Sequence, residues 1–404
     1  MNDAGETHGD APLAGVRVVE LGAWVAGPAV GAILADWGAE VIKVEPLSGD
    51  PIRHALRSTG SPVNPPFELD NRGKHSIAVD VGSDGGQEVF DALLATADVF
   101  VTNLRPSVLD RWGLAPSALL DRHPRLIVAT LTGFGERGPH RDRPSYDIGA
   151  FWAASGAAAA HDIDGEPVLL RSAFGDHQTA MALAGGISAA LFHRTTTGRG
   201  RHVSTSLLRN GWYAVSQDVA FLSRYGIWFP YGRADASNPL FNAYPTLDGR
   251  WLWLLGLQPD RHWPSIATAM GHPEWLADER FADAFAQREH RAELLELLTA
   301  TFRERTLEEW TVALEELDVW WEPVRTIDEM LTDEQLLAAG GMIEMETSDG
   351  GTAPMTATPV DFDGRSRRND LPPPALGEHT DALLRELGFD DAAIDELKRQ
   401  DVVS

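Results

Sequence analysis

The chain has 404 residues, 43% of them hydrophobic and 23% charged, which is ordinary for a globular protein long enough to hold two or three domains. Its formal net charge of −26 argues against a broad nucleic-acid or anionic-membrane surface, and the absence of cysteine excludes disulfides, thiolate zinc sites and cysteine nucleophiles. No apolar run is long enough to span a bilayer and the acidic, polar start is not typical of a signal peptide, so we expect a cytoplasmic protein.

Residues 1–225 alternate strand and helix patterns. Apolar strands of this length, separated by helices, predict an α/β fold with a large, Rossmann-like, doubly wound parallel sheet. The predicted strands are 15–22, 39–46, 76–81, 99–103, 125–135 and 202–208, and the clearest predicted helices are 28–38 and 85–97.

The amino-acid composition changes after residue 225. Eight of the thirteen tryptophans fall in 225–325, and residues 226–325 are predicted to form a smaller α/β domain. Residues 326–404 are predicted to be a linker that returns to the large domain and ends in two helices, with Thr380 and Asp390 as their N-caps. The small domain has a predicted strand at 250–257 and helices at 288–303 and 307–317.

The turn after the first strand does not favour a dinucleotide. The fingerprint needs G-x-G-x-x-G, whereas the glycines here stand at 22, 27 and 31 with a bulky Trp24 between them. Glu45 does end the second strand, where an acid that binds ribose would lie. Without the glycine pattern, however, this acid alone is weak evidence for dinucleotide binding. The sequence has neither a G-x4-G-K-[ST] nor a G-x-S-x-G motif, and its histidines show no metal-ligand spacing.

Asp176 stands between Gly175 and His177 at the start of a long run of small apolar residues. The common interpretation is a helix N-cap, since an aspartate side chain accepts from the exposed N–H groups of a first turn. The alternative is that this carboxylate carries out the chemistry of the protein. Spacing alone favours the cap.

Segments in the same order along nearly the whole chain resemble the class III CoA-transferases, the CaiB/BaiF family that also contains α-methylacyl-CoA racemase. That resemblance implies an interlocked homodimer, an acyl-CoA donor, a carboxylic acid acceptor and no permanently bound cofactor or metal. The segments that carry it are LAGVRVVELGAWVAGP, ILADWGAEVIKVE, NRGKHSIAVD, ADVFVTNLRPSVLDRWGL, RLIVATLTGFGERGP, SYDIGAFWAASG, FGDHQTAMALAGGISAALFHRTTTGRGRHV and LGEHTDALLRELGFDD.

The resemblance also assigns site residues. Asp176 matches the family's nucleophile, which forms an aspartyl–acyl anhydride and then an aspartyl-CoA thioester; we expect the helix N-terminus to keep it ionised and Gly175 to give the thioester close access. The nearby cations could equally be solvated surface residues, but their clustering in so acidic a chain favours phosphate contacts. The predicted substrate pocket is Trp24, Val25, Tyr146, Asp147 and His177. The CoA-binding residues that the resemblance implies are Asn71, Lys74, Val79, Asn103 and Arg111, and the neighbouring cations Arg72 and Arg105 are added because they could contact phosphates.

Two other functions stay open, a racemase or isomerase of the same family and a non-catalytic acyl-CoA binder. The racemase branch has a histidine where Tyr146 stands, and tyrosine is a poor base at neutral pH, although His140 or His177 could move a proton instead. The formyl-CoA:oxalate branch has glutamine at Val25, a basic residue at Pro46 and a polyglycine loop, so a small dicarboxylate is disfavoured. An apolar or aromatic acid is suggested by Trp228, Phe229, Trp251 and Trp253, but tryptophans also fill cores.

Overall fold

The computed structural model describes residues 10–55, 64–162, 165–168, 170–228, 232–367 and 369–404. They fall into two compact units, one within 1–159, 169–216 and 334–404 and the other within 160–168 and 217–333. The smaller unit starts before the predicted residue 226 and ends beyond 325, and it also includes residues 160–168, which are predicted above to belong to the large domain. Among the described residues no helix is long and apolar enough to cross a membrane.

The larger unit is built on a six-stranded sheet in which every pairing is parallel. The strand order is β3-β2-β1-β4-β5-β6, so the order reverses between β1 and β4. In sheets of this kind, ligands bind outside the carboxyl ends of the strands at that reversal. The strands are β1 Arg17–Leu21, β2 Glu40–Glu45, β3 Lys74–Ala78, β4 Val99–Thr102, β5 Ile127–Thr132 and β6 His202–Ser206.

Alternating side chains of these strands face opposite layers. Val19 and Ile42 join an apolar core on one face, whereas Glu20 and Lys43, their neighbours in sequence, are fully buried on the other. The strand predicted at 202–208 ends early, because the Ser206 side chain accepts from Arg209 N at 3.2 Å and caps the following helix.

Helices precede and follow the strands along both units. They are α1 Ala26–Asp36, α2 Pro65–Asn71, α3 Asp84–Thr96, α4 Pro106–Arg111, α5 Pro116–Arg122, α6 Phe174–Thr197, α7 Leu207–Ala214, α8 Ser216–Tyr225, α9 Pro259–Ala269, α10 Ala284–Glu289, α11 Arg291–Phe302, α12 Leu307–Glu315, α13 Ile327–Met330, α14 Glu334–Ala338, α15 Thr380–Glu386 and α16 Asp391–Arg399.

The smaller unit holds an antiparallel sheet of β7 Phe241–Pro245, β8 Trp251–Leu255 and β9 Trp321–Pro323. In β8, Leu252 and Leu254 enter the core with Trp263 and Trp310, whereas Trp251 and Trp253 alternate onto the exposed face. Some tryptophans therefore do fill the core and others do not. Trp228 is exposed, and Phe229 lies outside the described residues.

Residues 334–404 return to the larger unit. A hairpin of β10 Met342–Glu346 and β11 Thr352–Thr356 comes first, and α15 and α16 then pack Leu384 and Ile394 into the main core. Val403 forms a bridge with Val79, which is buried beyond the end of β3. Asp390 caps α16 as predicted, accepting from Ala393 N at 2.8 Å.

The prediction that Thr380 is an N-cap is wrong. His379 occupies the cap position and Thr380 is the first residue of α15. The Thr380 hydroxyl instead accepts from Ala78 N at 3.2 Å, which ties the helix to the end of β3.

Candidate active site

The loop after β1 is fastened across the strand-order reversal by Asn103, which follows β4. Asn103 Oδ1 accepts from Ala23 N at 3.0 Å and its Nδ2 donates to Ala23 O at 2.7 Å. A Cβ placed on Gly22 or Gly27 would stand 3.1 or 2.9 Å from the Asn103 side chain. The glycines of this turn are therefore explained by the close approach of Asn103, and a pyrophosphate is not needed to account for them.

Trp24 adopts a left-handed backbone in this loop, with φ of 68°. A bulky residue there costs on the order of 1 kcal/mol or more, and such residues cluster at functional sites. The turn is held because Trp24 N donates to Asp50 Oδ1 at 3.0 Å. The indole is 39% exposed and meets Tyr146 edge-on, with ring centroids 5.4 Å apart, while Val25 begins α1 as its N-cap residue.

Tyr146 is 65% exposed. The structure therefore places two of the predicted pocket residues, Trp24 and Tyr146, in contact at the carboxyl edge of the sheet. Asp147, the next residue, is buried and opens a π-helical turn over Ile148–Ala153. Turns of this kind are rare and often lie at functional sites.

Asp147 caps helix α6 from outside the helix. Its Oδ2 accepts from Gly175 N at 3.2 Å, and its Oδ1 is buried with no hydrogen bond to any residue that the structure describes. Burial raises its pKa even though the Gly175 and Ala173 N–H groups oppose the shift. A Cβ on Gly175 would lie 2.2 Å from Phe151 Cγ and 2.4 Å from Asp147 Oδ1. Gly175 is thus required so that the carboxylate can reach the helix end, and its expected role in giving the thioester access is not needed to explain it.

Asp176 is not an N-cap. Helix α6 begins at Phe174 after Ala173, which has a left-handed φ of 68°, and no side chain of α6 itself caps it. Within the part of the chain that the structure describes, no donor bonds to the Asp176 carboxylate. Since Asp147 takes the capping N–H groups, the carboxylate of Asp176 in the first turn is left unengaged.

The pKa of Asp176 is raised rather than lowered, against the expectation that the helix N-terminus favours its ionised form. Burial raises its pKa to about 7, the charges of Asp147 and Asp70 add to that shift, and His177 opposes it. The helix N-terminus is outweighed chiefly because the carboxylate is buried, and the two nearby carboxylates add to the effect. The ionised form of Asp176 is therefore disfavoured in the unliganded protein.

His177 lies beside Asp176 and contacts a carboxylate distant in sequence. Its Nε2 lies 3.0 Å from Asp70 Oδ1. Sequence reasoning misses Asp70 as a site residue. It stands in the DNRGKHS stretch, but no local signal indicates that α2 would bring it to α6.

Four of the predicted CoA-binding residues are buried. Lys74 Nζ lies 2.7 Å from Glu20 Oε2 and donates to Asn71 Oδ1 at 3.0 Å, and burial lowers its pKa to about 8. Arg72 pairs with Asp36 at 2.6 Å, and Val79 belongs to the core. These positions favour structural roles, so we do not include them in the proposed CoA site.

Lys74 belongs to a buried charge network beneath the Trp24 loop. Lys43 Nζ bonds to Asp50 at 2.9 Å and to Glu20 at 3.2 Å, and Glu45 bonds to Arg53 at 2.7 Å. The carboxylate of Glu45, which was the candidate for binding a ribose, is thus already paired with Arg53. Glu20 reaches the network only because α1 has a glycine at 31, where a Cβ would stand 2.0 Å from Glu20 Oε2.

Arg105 and Arg111 do present exposed guanidinium groups. They follow β4, and Arg105 Nη1 donates to the Asp142 carbonyl at 3.5 Å. Asp142 Oδ1 in turn accepts from Ser107 N at 2.7 Å, which joins the loop after β4 to the loop after β5. Among the described residues, no carboxylate forms an ion pair with Arg111, and no group of three metal-ligating side chains is found.

The family model described as CoA-transferase family III matches residues 13–380. The (R)-2-hydroxy-4-methylpentanoate CoA-transferase of Clostridioides difficile is 34% identical, over 97% of this chain and 99% of that protein. The cinnamoyl-CoA:phenyllactate CoA-transferase of Clostridium sporogenes is 30% identical, over 96% of each. Among solved structures, a CaiB/BaiF family protein from Brucella suis is 30% identical with a TM-score of 0.82, over 93% of this chain and 99% of that one.

Proposed function

The chain belongs to CoA-transferase family III, the CaiB/BaiF class of enzymes, and from that premise we propose that it transfers CoA from an acyl-CoA to a carboxylic acid with Asp176 as the nucleophile. The observation that carries this proposal is the state of Asp176. It stands in the first turn of α6 without a hydrogen-bond donor among the described residues, while Asp147 does the capping. A carboxylate whose lone pairs are unengaged is suited to nucleophilic attack.

The first half-reaction forms two covalent intermediates. An Asp176 oxygen attacks the thioester carbonyl, the carbon–sulfur bond breaks, and an aspartyl–acyl anhydride and CoA thiolate result. The thiolate then attacks the aspartyl carbonyl of the anhydride. This step leaves an aspartyl-CoA thioester and releases the donor acid as a carboxylate.

The second half-reaction runs the same steps in reverse. The acceptor carboxylate attacks the aspartyl thioester, which gives a new anhydride and CoA thiolate, and the thiolate then attacks the acceptor's carbonyl carbon. The products are the new acyl-CoA and the original Asp176 carboxylate. One thioester replaces another, no proton is gained or lost overall, and only the ionised form of Asp176 can begin the cycle.

We place the CoA at the carboxyl edge of β1 and β4. The exposed guanidinium groups of Arg105 and Arg111 lie on the segment after β4, beside the strand-order reversal where such sheets bind ligands. Arginine is suited to phosphate because its planar fork can bind two oxygens together. Asn103 bonds to the backbone of Ala23. We therefore propose that Asn103 holds the conformation of the loop after β1 rather than binding CoA itself.

The acceptor that we propose is a monocarboxylic acid with an apolar or aromatic side chain. The exposed Trp24–Tyr146 pair beside Asp147 gives an aromatic surface at the site. The names of the two relatives described above, which act on 2-hydroxy-4-methylpentanoate and phenyllactate, support the same class of acid. The racemase alternative gains no support, because Tyr146 stands at the position where that branch has its histidine.

We also propose a homodimer. Helix α8 (Ser216–Tyr225) has no buried residue, and it carries the exposed side chains of Leu222 and Tyr225. Surfaces of this kind are commonly covered by a second chain. Sedimentation that gave a stable monomer at micromolar concentration would overturn this part of the proposal.

Covalent trapping tests the nucleophile. The enzyme is incubated with an acyl-CoA bearing an apolar group, quenched with hydroxylamine, and digested for mass spectrometry. We expect a hydroxamate on the peptide that contains Asp176 and none in an Asp176→Asn variant. An active enzyme that transfers CoA normally with asparagine at this position would contradict the mechanism, whereas a folded protein that binds acyl-CoA without any adduct would be a binder.

A further inference from the structure

The imidazole of His177 is fixed in place by a carboxylate from another helix. Nε2 lies 3.0 Å from Oδ1 of Asp70, whose side chain is only 5% exposed, while the His177 side chain is 40% exposed. Asp70 is itself anchored in α2, where its carbonyl accepts from Lys74 Nζ at 2.7 Å. The contact sets the direction of a ring that directly follows Asp176 in the chain.

The charges around Asp176 are mostly of its own sign. Burial raises the pKa of Asp176 most, Asp147 from the segment before the π-helical turn and Asp70 from α2 raise it further, and His177 lowers it. Arg72, which directly follows α2, also acts on His177, but its guanidinium pairs with Asp36.

The surroundings of His177 favour its charged form. Burial and Arg72 oppose its protonation, but the hydrogen bond to Asp70 and the charges of Asp70 and Asp176 outweigh them, and the pKa of His177 is raised.

We propose that His177, held by Asp70, is a positioning residue that supplies the positive charge which keeps Asp176 ionised for attack. The inference rests on the proposed function of Asp176 as nucleophile. No proton passes between the two groups in this scheme. When Asp176 becomes an anhydride or thioester its charge is lost, and the imidazolium is then available to attract the carboxylate of the acceptor acid into the same place.

The test is the pH dependence of kcat/KM for the acyl-CoA. In the wild-type enzyme the rate falls on the acid side as Asp176 takes up a proton, with a midpoint near its pKa of about 7. A His177→Gln variant keeps an amide that can donate to Asp70 but loses the charge. We expect its acid limb to move upward by about one pH unit, with activity recovering at higher pH, because a lost opposite charge raises a carboxyl pKa.

A second readout is the affinity for the acceptor. The KM for the acid is expected to rise several-fold more than the KM for the acyl-CoA in His177→Gln. His177→Lys carries a charge at every assay pH, and we expect it to return the acid limb toward the wild-type position. His177→Asn is the second neutral variant where the glutamine variant does not fold.

His193→Gln is the matched control, since it makes the same change further along α6, where His193 bonds to Arg201. It should leave the pH profile unchanged. Neutral variants that lose activity equally at every pH, with an unmoved acid limb, would overturn the inference while trapping at Asp176 still supported the function. A wild-type enzyme that transfers CoA without an Asp176 adduct would instead overturn the proposed function.

Discussion

Two regions at the carboxyl edge of the same sheet hold buried charge in opposite ways. Beneath the Trp24 loop, the carboxylate of Glu20 meets two ammonium groups and that of Asp50 meets one. At the start of α6, Asp176 has no donor among the described residues, and its near neighbours include Asp147 and Asp70. Charges that are fully paired stabilise a shape, whereas a carboxylate left unpaired has a raised pKa and retains its reactivity.

At the start of α6, the largest loss of activity is expected from a substitution of Asp176 itself. We expect Asp176→Asn to lower kcat by about 10⁴-fold or more, since the covalent intermediates cannot form. Steady-state CoA-transfer assays measure this loss. Asp84→Asn, which changes the same residue type in the first turn of α3, should leave the rate unchanged.

The same variant should be more stable than the wild type. The pKa of Asp176 is raised from 3.8 to about 7 in the folded protein, so its ionised form opposes folding. The penalty is absent below about pH 4, grows as pH rises toward 7 and is constant above that, and the asparagine substitution removes up to about 4 kcal/mol of it. Urea unfolding at pH 4 and pH 8 checks the difference, which would be absent or reversed if Asp176 were a cap.

Substitutions in the buried charge network beneath the Trp24 loop should lower stability rather than change the reaction. Glu20→Gln leaves Lys74 and Lys43 with one fewer buried counter-charge, and we expect a loss of about 3–5 kcal/mol in the free energy of unfolding. The acid limb of the pH profile should not move. Asp91→Asn, which breaks the exposed pair with Arg122, is the control and should cost less than about 1 kcal/mol.

Asp147 both caps helix α6 and raises the pKa of Asp176. Asp147→Ala removes the cap of α6 and should cost about 1–2 kcal/mol of stability. Asp147→Asn keeps an acceptor for the Gly175 N–H but removes a charge that raises the pKa of Asp176, so the acid limb should move to lower pH. Ser83→Ala, which removes the side-chain cap of α3, should cost similar stability without moving the limb.

The smallest effect is expected at the exposed arginines. Arg111→Gln should raise the KM for acyl-CoA by about 3–10-fold, since a solvent-exposed contact to phosphate contributes about 1 kcal/mol. The effect should weaken as salt is added. The same change at Arg122 in α5 serves as the control, and an equal rise in KM there would remove the case for Arg111.

Much of the larger unit follows from local patterns. The apolar runs that predict β1, β2 and β5 end within a few residues of the strands, because a strand buried on both faces needs such a run. Asp176 is identified by resemblance, since spacing alone favours a cap. The cap belongs to Asp147, 28 positions earlier in the chain than the Gly175 N–H that it accepts from, and contacts over such separations leave no local signal.

The cations illustrate the same limit. In the sequence, Lys74 and Arg72 resemble ligands for phosphate because they stand together in an acidic chain. Their partners, Glu20 and Asp36, lie on β1 and α1, and Asp36 is 36 positions from Arg72 along the chain. Only the packing of α1 and α2 on the sheet reveals that these charges are neutralised inside the protein.

The bridge between Val79 and Val403 has a consequence for synthesis on the ribosome. The main core holds residues from β1 through β5 together with Leu384, Ile394 and Val402, while the smaller unit is encoded between them. As the chain emerges, the smaller unit is complete before the larger one can close over its apolar surface. Until residue 403 has left the exit tunnel, the nascent sheet exposes a surface of the kind that chaperones bind.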